Sequence, residues 1–382
     1  MLGKFAHTLV EAGARVAVAG QASTAAPAPT NGLTLHPIFA GGRLSLGRLA
    51  AQGRYWRLLR QLRPALVVVH APELLPLTLL WQALGRDRQF VYDIRENYAL
   101  NVATQGIYRG YVRRGLAAGL RWVEGLAARR AAALTLAEAS YADELPFLHL
   151  VPAGRVVVLE NKYQPAPGEV LPRQPRPLPT PHEPLRLLYS GTISELNGLP
   201  EALALAEALH QQRPGGAELT VIGFCQQPAL LARLLALAAQ RPPWLRLVGG
   251  PHAVPHRAIV AELARAHLGL ALYRPHPSTA HCRPTKLFEY LAHGLPVVVP
   301  PNPPWQTLVQ QHDAGLALPA AALAQPAQGA AALLAALASQ APHGTFYRAG
   351  LPTDVLWVAE GKKLRHLLKS LLPTATFVPP QG

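Results

Sequence analysis

Short apolar runs of β type alternate with helix-length segments along most of this chain, and the alternation is broken once by proline. The runs 14–20, 65–70, 89–93, 132–138 and 155–161 read as strands, with helical patterns at 48–62, 73–85 and 106–131 between them. Strands that alternate with helices argue for βαβ units and a parallel sheet. Residues 164–184 then hold eight prolines. Each proline removes a backbone donor and fixes φ, so neither helix nor sheet is expected there. The segment reads as an interdomain linker stiffened towards an extended form. The alternation restarts with strands at 185–191, 218–223, 244–249, 268–273 and 296–300, and helices at 199–213, 227–241, 256–267 and 285–293. A last amphipathic segment covers 354–372. The expected organisation is an N-terminal Rossmann-like domain (1–163), the linker (164–184), a second α/β domain (185–350), and a C-terminal helix and tail (351–382).

A chain of 382 residues, half of them apolar, is long enough for two cores. No apolar run is long enough to cross a membrane. The first residues show no basic region followed by an apolar one, so a cytoplasmic chain is expected. Cys225 and Cys282 are the only cysteines, which argues against a disulfide framework or a zinc knuckle. The formal charge of +15 asks for an anionic partner. Residues 43–63 hold six Arg and no acid, and residues 109–130 hold six Arg against Glu124 alone. These stretches read either as solvated basic faces or as contacts with an anionic membrane surface, which would make the chain peripheral at the inner face. No nucleic-acid-binding motif is present, so nucleic acid is not an expected partner. The five Asp residues (87, 93, 143, 313 and 354) include no pair two apart, so no metal is expected, and no cofactor.

The stretch RPTKLFEYLAHGLPVVVP (283–300) carries the most chemistry. Thr285 suits a helix N-cap and Gly294 a C-terminal stop. At about 100° per residue Leu287, Phe288, Leu291 and Ala292 share one arc, which faces a sheet. Lys286, Glu289 and His293 fall on the opposite side and are expected to point away from the core. The pair Lys286/Glu289 then reads as a surface ion pair, or as part of an anion site at the helix start. In the second reading Lys286 and Arg283 face a phosphate. The carboxylate of Glu289 accepts the two hydroxyls of a ribose diol.

PTKLFEYLAHGLPVV resembles the donor-site helix of family 4 glycosyltransferases, which have the GT-B fold. LLYSGTISELNGLPEAL (187–203) resembles the glycine turn opening that family's donor domain. VVVHAPELLPL (67–77), FVYDIRENYALNV (90–102), LTLAEASYADEL (134–145) and VVVLENKYQ (156–164) resemble ordered landmarks of its acceptor domain. The resemblance implies an α/β protein of two Rossmann-like parallel-sheet domains facing a cleft and joined by the proline-rich linker. By the same resemblance the sequence is expected to open in the helix that follows the family's first strand, without that strand. The implied activity is retaining transfer of a sugar from a nucleoside-diphosphate donor to a glycan or lipid-linked acceptor in cell-surface polysaccharide or glycolipid synthesis. The alternatives are a nucleotide-sugar epimerase of the same fold and an inactive carbohydrate-binding scaffold.

By the same resemblance the donor is bound by Gly191, Thr192, Asn197, Arg283, Thr285, Lys286 and Glu289. Thr192 and Asn197 stand where the family often has Arg and Lys, so Arg283 and Lys286 are expected to replace those cations. His70, Glu73, Asp93 and Asn97 are expected at the acceptor. Arg95, Glu96 and His281 are the expected catalytic residues. Arg95 stands in place of a family histidine, and His281 in place of the first glutamate of a Glu-x7-Glu motif that ends at Glu289.

Overall fold

The computed structural model describes residues 2–21, 32–39, 47–104, 110–340 and 344–373. The start of the first basic stretch (43–46) and Arg109 lie outside the described residues. The chain forms two compact units. The first holds residues 1–164 and 357–382, the second 165–356.

In the first unit β1 (Val16–Gln21) pairs in parallel with β2 (Leu33–Phe39). A separate parallel sheet has the order β3 (Leu66–Val69), β4 (Gln89–Ile94), β5 (Ala133–Leu136), β6 (Val156–Val158). Among the described residues no strand bridges the two pieces. They share a cluster beneath: Ala19 of β1, Ile38 of β2 and Val67 of β3 pack with Tyr55, Leu59 and Trp81. These last three come from α1 (Gly47–Leu62) and α2 (Leu75–Ala83). β4 and β5 are apolar apart from Gln89, Asp93 and Thr135 and are buried on both faces, as central parallel strands are. The long α3 (Gly110–Arg130) lays Ala127 and Ala128 against them and keeps Tyr111, Val112, Leu116 and Trp122 exposed.

The second unit has six parallel strands in the order β12 (Gly315–Ala317), β11 (Val297–Val299), β10 (Leu268–Leu270), β7 (Leu185–Ile193), β8 (Ala217–Cys225), β9 (Leu245–Gly250). This doubly wound order reverses between β7 and β10, the position where open sheets bind ligands beyond the carboxyl ends of their strands. Helices α4 (Leu199–Gln212), α5 (Pro228–Ala239), α6 (His256–Arg265), α7 (Thr285–Ala292), α8 (Pro303–Gln311) and α9 (Pro326–Gln340) connect and cover it.

Of the segment read from sequence as a linker (164–184), Gln164 belongs to the first unit and residues 165–184 to the second. Arg176 donates to the carbonyls of Leu263 and Ala266, and Arg213 to those of Pro179, Thr180 and Pro181. Pro177 bridges to Thr345. Backbone carbonyls that no sheet can use are thus taken up by arginine forks. From Trp357 the chain returns to the first unit as α10 (Val358–Leu371). Trp357 and Leu364 pack on Phe5 and Leu159, and the Trp357 indole N–H donates to Thr8 Oγ1 at 3.0 Å. Buried Glu360 receives Lys162 at 2.8 Å and Lys363 at 2.9 Å.

Candidate active site

The second unit gathers its chemistry at the reversal between β7 and β10. α7 begins at Thr285, with Pro284 rather than Thr285 in the N-cap position and no side chain capping its first turn. Its amphipathic pattern places Leu287, Phe288 and Leu291 in the core as expected. The opposite side is covered too, which corrects the expectation that Lys286 and His293 point outward. Lys286 is 9% exposed and His293 4%. The Lys286 stem runs beside Gly191, at the end of β7, where an added Cβ would touch its Cε at 3.7 Å. The φ of Gly191 is +93°, a conformation that favours glycine. Lys286 Nζ sits 4.4 Å from the ring centroid of Tyr189 and 5.3 Å from that of Tyr273. It has no hydrogen-bond partner among the described residues. Burial pushes its pKa down to about 8, against the pull of the Glu289 charge. A buried ammonium held by two aromatic faces alone is an incomplete site for an anion.

Glu289 lies one turn further on and is 13% exposed at its side chain. Its Oε1 meets His256 Nε2 at 2.7 Å. That hydrogen bond raises the His256 pKa, against burial, which lowers it. His256 opens α6 after β9, and nothing in its sequence context marks it as a partner of Glu289. His293, at the other end of α7, pairs with Glu169 of the proline-rich segment at 3.2 Å. Arg283 stacks 5.8 Å from the Phe288 ring, just ahead of the helix.

Two other residues expected at the donor have local duties, and His281, expected in catalysis, takes part in neither. Asn197 Nδ2 donates to the Thr192 carbonyl at 2.9 Å, and the Asn197 amide donates to Ser194 Oγ at 3.1 Å. Asn197 therefore ties the glycine turn shut. Thr192 takes part through its carbonyl, and its side chain is exposed. His281 is exposed in the loop before α7.

In the first unit the expected residues divide. His70 directly follows β3 and Asp93 lies near the end of β4. His70 Nδ1 and Asp93 Oδ2 are 2.6 Å apart, and Arg95 Nε binds the same oxygen. Thr135 Oγ1 of β5 donates to Asp93 Oδ1 at 2.5 Å. Burial drives the Asp93 carboxyl upward, but the His70 hydrogen bond and the charges of His70 and Arg95 outweigh it and hold the pKa below the ordinary value. Arg95 is clamped under Phe5, whose ring centroid lies 4.7 Å from its guanidinium carbon. The edge of Phe5 also meets the His70 ring at 5.7 Å.

Asn97, expected at the acceptor, is 8% exposed and caps the helix Tyr98–Thr104. Its Oδ1 accepts from the Leu100 amide and from Arg121, and its Nδ2 donates to Glu144. Glu96, expected in catalysis, accepts from Asn101 at 2.8 Å. Glu73 pairs with Arg48 at 3.1 Å. Only His70, Asp93 and Arg95 therefore converge on one point.

Two α/β units built on parallel sheets are the elements of the GT-B fold. Residues 2–162 match the family described as glycosyl transferase 4-like domain. The whole chain shares its fold with solved structures of that class. Sucrose-phosphate synthase from Thermosynechococcus elongatus superposes with a TM-score of 0.65 at 16% identity, covering 97% of this chain and 93% of that one. WaaG, a glycosyltransferase involved in lipopolysaccharide biosynthesis, gives 0.57 at 16% identity over 97% and 94%. Anabaena HepE in complex with UDP-glucose gives 0.51 at 15% identity over 88% and 86%. No curated protein matches the sequence. No helix of the described residues is long and apolar enough to cross a membrane. No cluster of three or more His, Cys, Asp or Glu among them is arranged to hold a metal ion.

Proposed function

We propose that the chain transfers a sugar from a nucleoside-diphosphate donor to a hydroxyl of a glycan or lipid-linked acceptor, in the assembly of cell-surface polysaccharide or glycolipid. The observation that carries this reading is Lys286 Nζ, buried beside Gly191 at the sheet reversal without a hydrogen-bond acceptor. A diphosphate there supplies the missing acceptor. As the glycosyl–phosphate bond breaks, negative charge grows on the leaving diphosphate. Lys286, Arg283 and the uncapped amides of α7 stabilise it. Glu289 takes the ribose diol, and His256 fixes the orientation of its carboxylate. The HepE structure, which is a complex with UDP-glucose, supports the choice of ligand class. On the first unit, His70 held by Asp93 offers its outer nitrogen to the acceptor hydroxyl.

A thermal-shift screen of nucleoside diphosphates tests the reading. One diphosphate at about 100 times its Kd is expected to stabilise the chain by about 2.7 kcal/mol. Glu289→Gln is expected to weaken that nucleotide about tenfold, because one carboxylate acceptor of the diol is lost (~1.4 kcal/mol). Absence of a shift with every diphosphate rules the donor site out.

The setting we propose is peripheral, at an anionic membrane surface. Tyr111, Val112, Leu116 and Trp122 share an exposed arc of α3, and Arg114, Arg129 and Arg130 are exposed on the same helix. Such a face suits the headgroup boundary. Trp122→Ala is expected to lower binding to phosphatidylglycerol vesicles several-fold in a flotation assay; equal flotation of both proteins removes this face from the contact.

A further inference from the structure

The first unit carries a second concentration of arginine that the reaction above does not use. A cavity of about 830 Å³ opens between the C-terminal ends of α1 and α2. Arg57, Arg60, Arg63 and Arg88 line it, with Trp56 and Trp81. No carboxylate lines it. Its volume is within the usual range for ligand sites, roughly 300–1,000 Å³.

Arg48, Arg95 and Arg121 each pair with a carboxylate. Arg57, Arg60, Arg63 and Arg88 have no ion pair among the described residues. Guanidinium groups remain charged at any working pH, so four in one concavity repel each other until an anion enters. Arg88 is already set in place: it donates to the Trp81 carbonyl at 2.6 Å and lies over the Trp81 ring at 5.3 Å. That leaves its remaining N–H groups as a fixed fork. Arg63 follows α1 at φ +44°, in the left-handed region where glycine fits without strain.

We propose that this cavity binds a phosphoryl or diphosphoryl group, as a site separate from the residues at the strand ends. Arg88 immediately precedes β4, and Asp93 lies five residues along the strand. At about 3.3 Å per residue the two are roughly 16 Å apart, at opposite ends of the sheet. Arginine forks match phosphate oxygens two at a time. Leu84, which lines the cavity, and neighbouring Leu62 are 61% and 40% exposed. They would border the apolar part of an amphiphile that carries the phosphoryl group. The group is therefore that of a lipid headgroup or of a soluble phosphate ester.

The test uses the full chain carrying Lys286→Ala, which removes the donor site from the readout. Inorganic pyrophosphate is titrated calorimetrically at 0.15 M salt, and vesicles of phosphatidylglycerol or phosphatidylcholine are floated with the protein. Addition of Arg60→Ala and Arg63→Gly is expected to weaken pyrophosphate at least tenfold. The Arg63→Gly change alone is expected to leave the melting temperature unchanged or raised, since it relieves the positive φ. Phosphatidylglycerol binding that these substitutions abolish assigns the site to a lipid headgroup. Pyrophosphate binding that they abolish, without vesicle binding, assigns it to a soluble ester. Equal binding by parent and variant, or no binding of either probe, overturns the proposal.

Discussion

Lys286→Met is expected to make the protein more stable and to weaken nucleoside-diphosphate binding strongly. The lysine pKa in the folded chain is about 8 against an ordinary 10.5, a difference worth about 3 kcal/mol. Because the folded value is the lower one, the folded chain releases this proton first as pH rises. The lysine's cost to stability is therefore full below about pH 8, shrinks between about 8 and 10.5, and is gone above. Methionine has a similar length and no charge, and its sulfur packs well against Tyr189 and Tyr273. It loses the cation–π attraction of the ammonium, which takes back about 1–2 kcal/mol. The net gain is about 1–2 kcal/mol at pH 7, or roughly 3–6 °C in melting temperature for a unit of this size. Diphosphate affinity is expected to fall about 100-fold, since a desolvated charge pair is lost. Binding to the unmodified protein near pH 8.5 is expected to take up protons, which calorimetry in buffers of different ionisation heat detects. A lower melting temperature with unchanged nucleotide affinity would make Lys286 a structural residue.

The alternation of apolar runs and helical patterns carries most of this fold in plain view, and what it hides is long-range. β2 (Leu33–Phe39) contains Pro37, which masks a strand that among the described residues pairs with β1 alone. β12 has three residues, too few for a periodic signal. The start and stop of α7 follow from Pro284 and Gly294. Its surroundings do not: helical periodicity counts one buried face, whereas Tyr189, Tyr273 and Glu169 arrive from distant segments and bury the other. A lysine on that second face looks solvated in sequence and is desolvated in the structure. At the end of β4 the difficulty is of another kind. Asp93, Arg95, Glu96 and Asn97 are equally polar neighbours in sequence. The strand turns Asp93 inward onto His70 and Thr135, and the helix that follows takes Asn97 as its cap. Polar residues beside a helix start are divided between site and cap by geometry that the sequence does not show.

Asp93→Asn should be the most damaging single polar substitution in the first unit. Asp93 is 1% exposed and accepts from Arg95 and Thr135 and pairs with His70. Asparagine keeps one acceptor and turns an N–H towards donors. Arg95 then remains partly buried with no counter-charge, and its Nη2 already lacks a partner among the described residues. Breaking such a pair from one side costs about 3–5 kcal/mol. Because the folded carboxyl titrates below its ordinary value of 3.8, its contribution is present above that pH and is lost as pH falls through the folded value. The gap in urea midpoint between parent and variant is therefore expected to be wide at pH 7 and to narrow as pH falls below the ordinary carboxyl value of 3.8. His70→Asn is expected to cost about 1 kcal/mol, because His70 is 36% exposed and leaves the Arg95 pair in place. If Asp93→Asn and His70→Asn proved equally mild, the carboxylate would serve to orient His70 and would not hold the strand ends together.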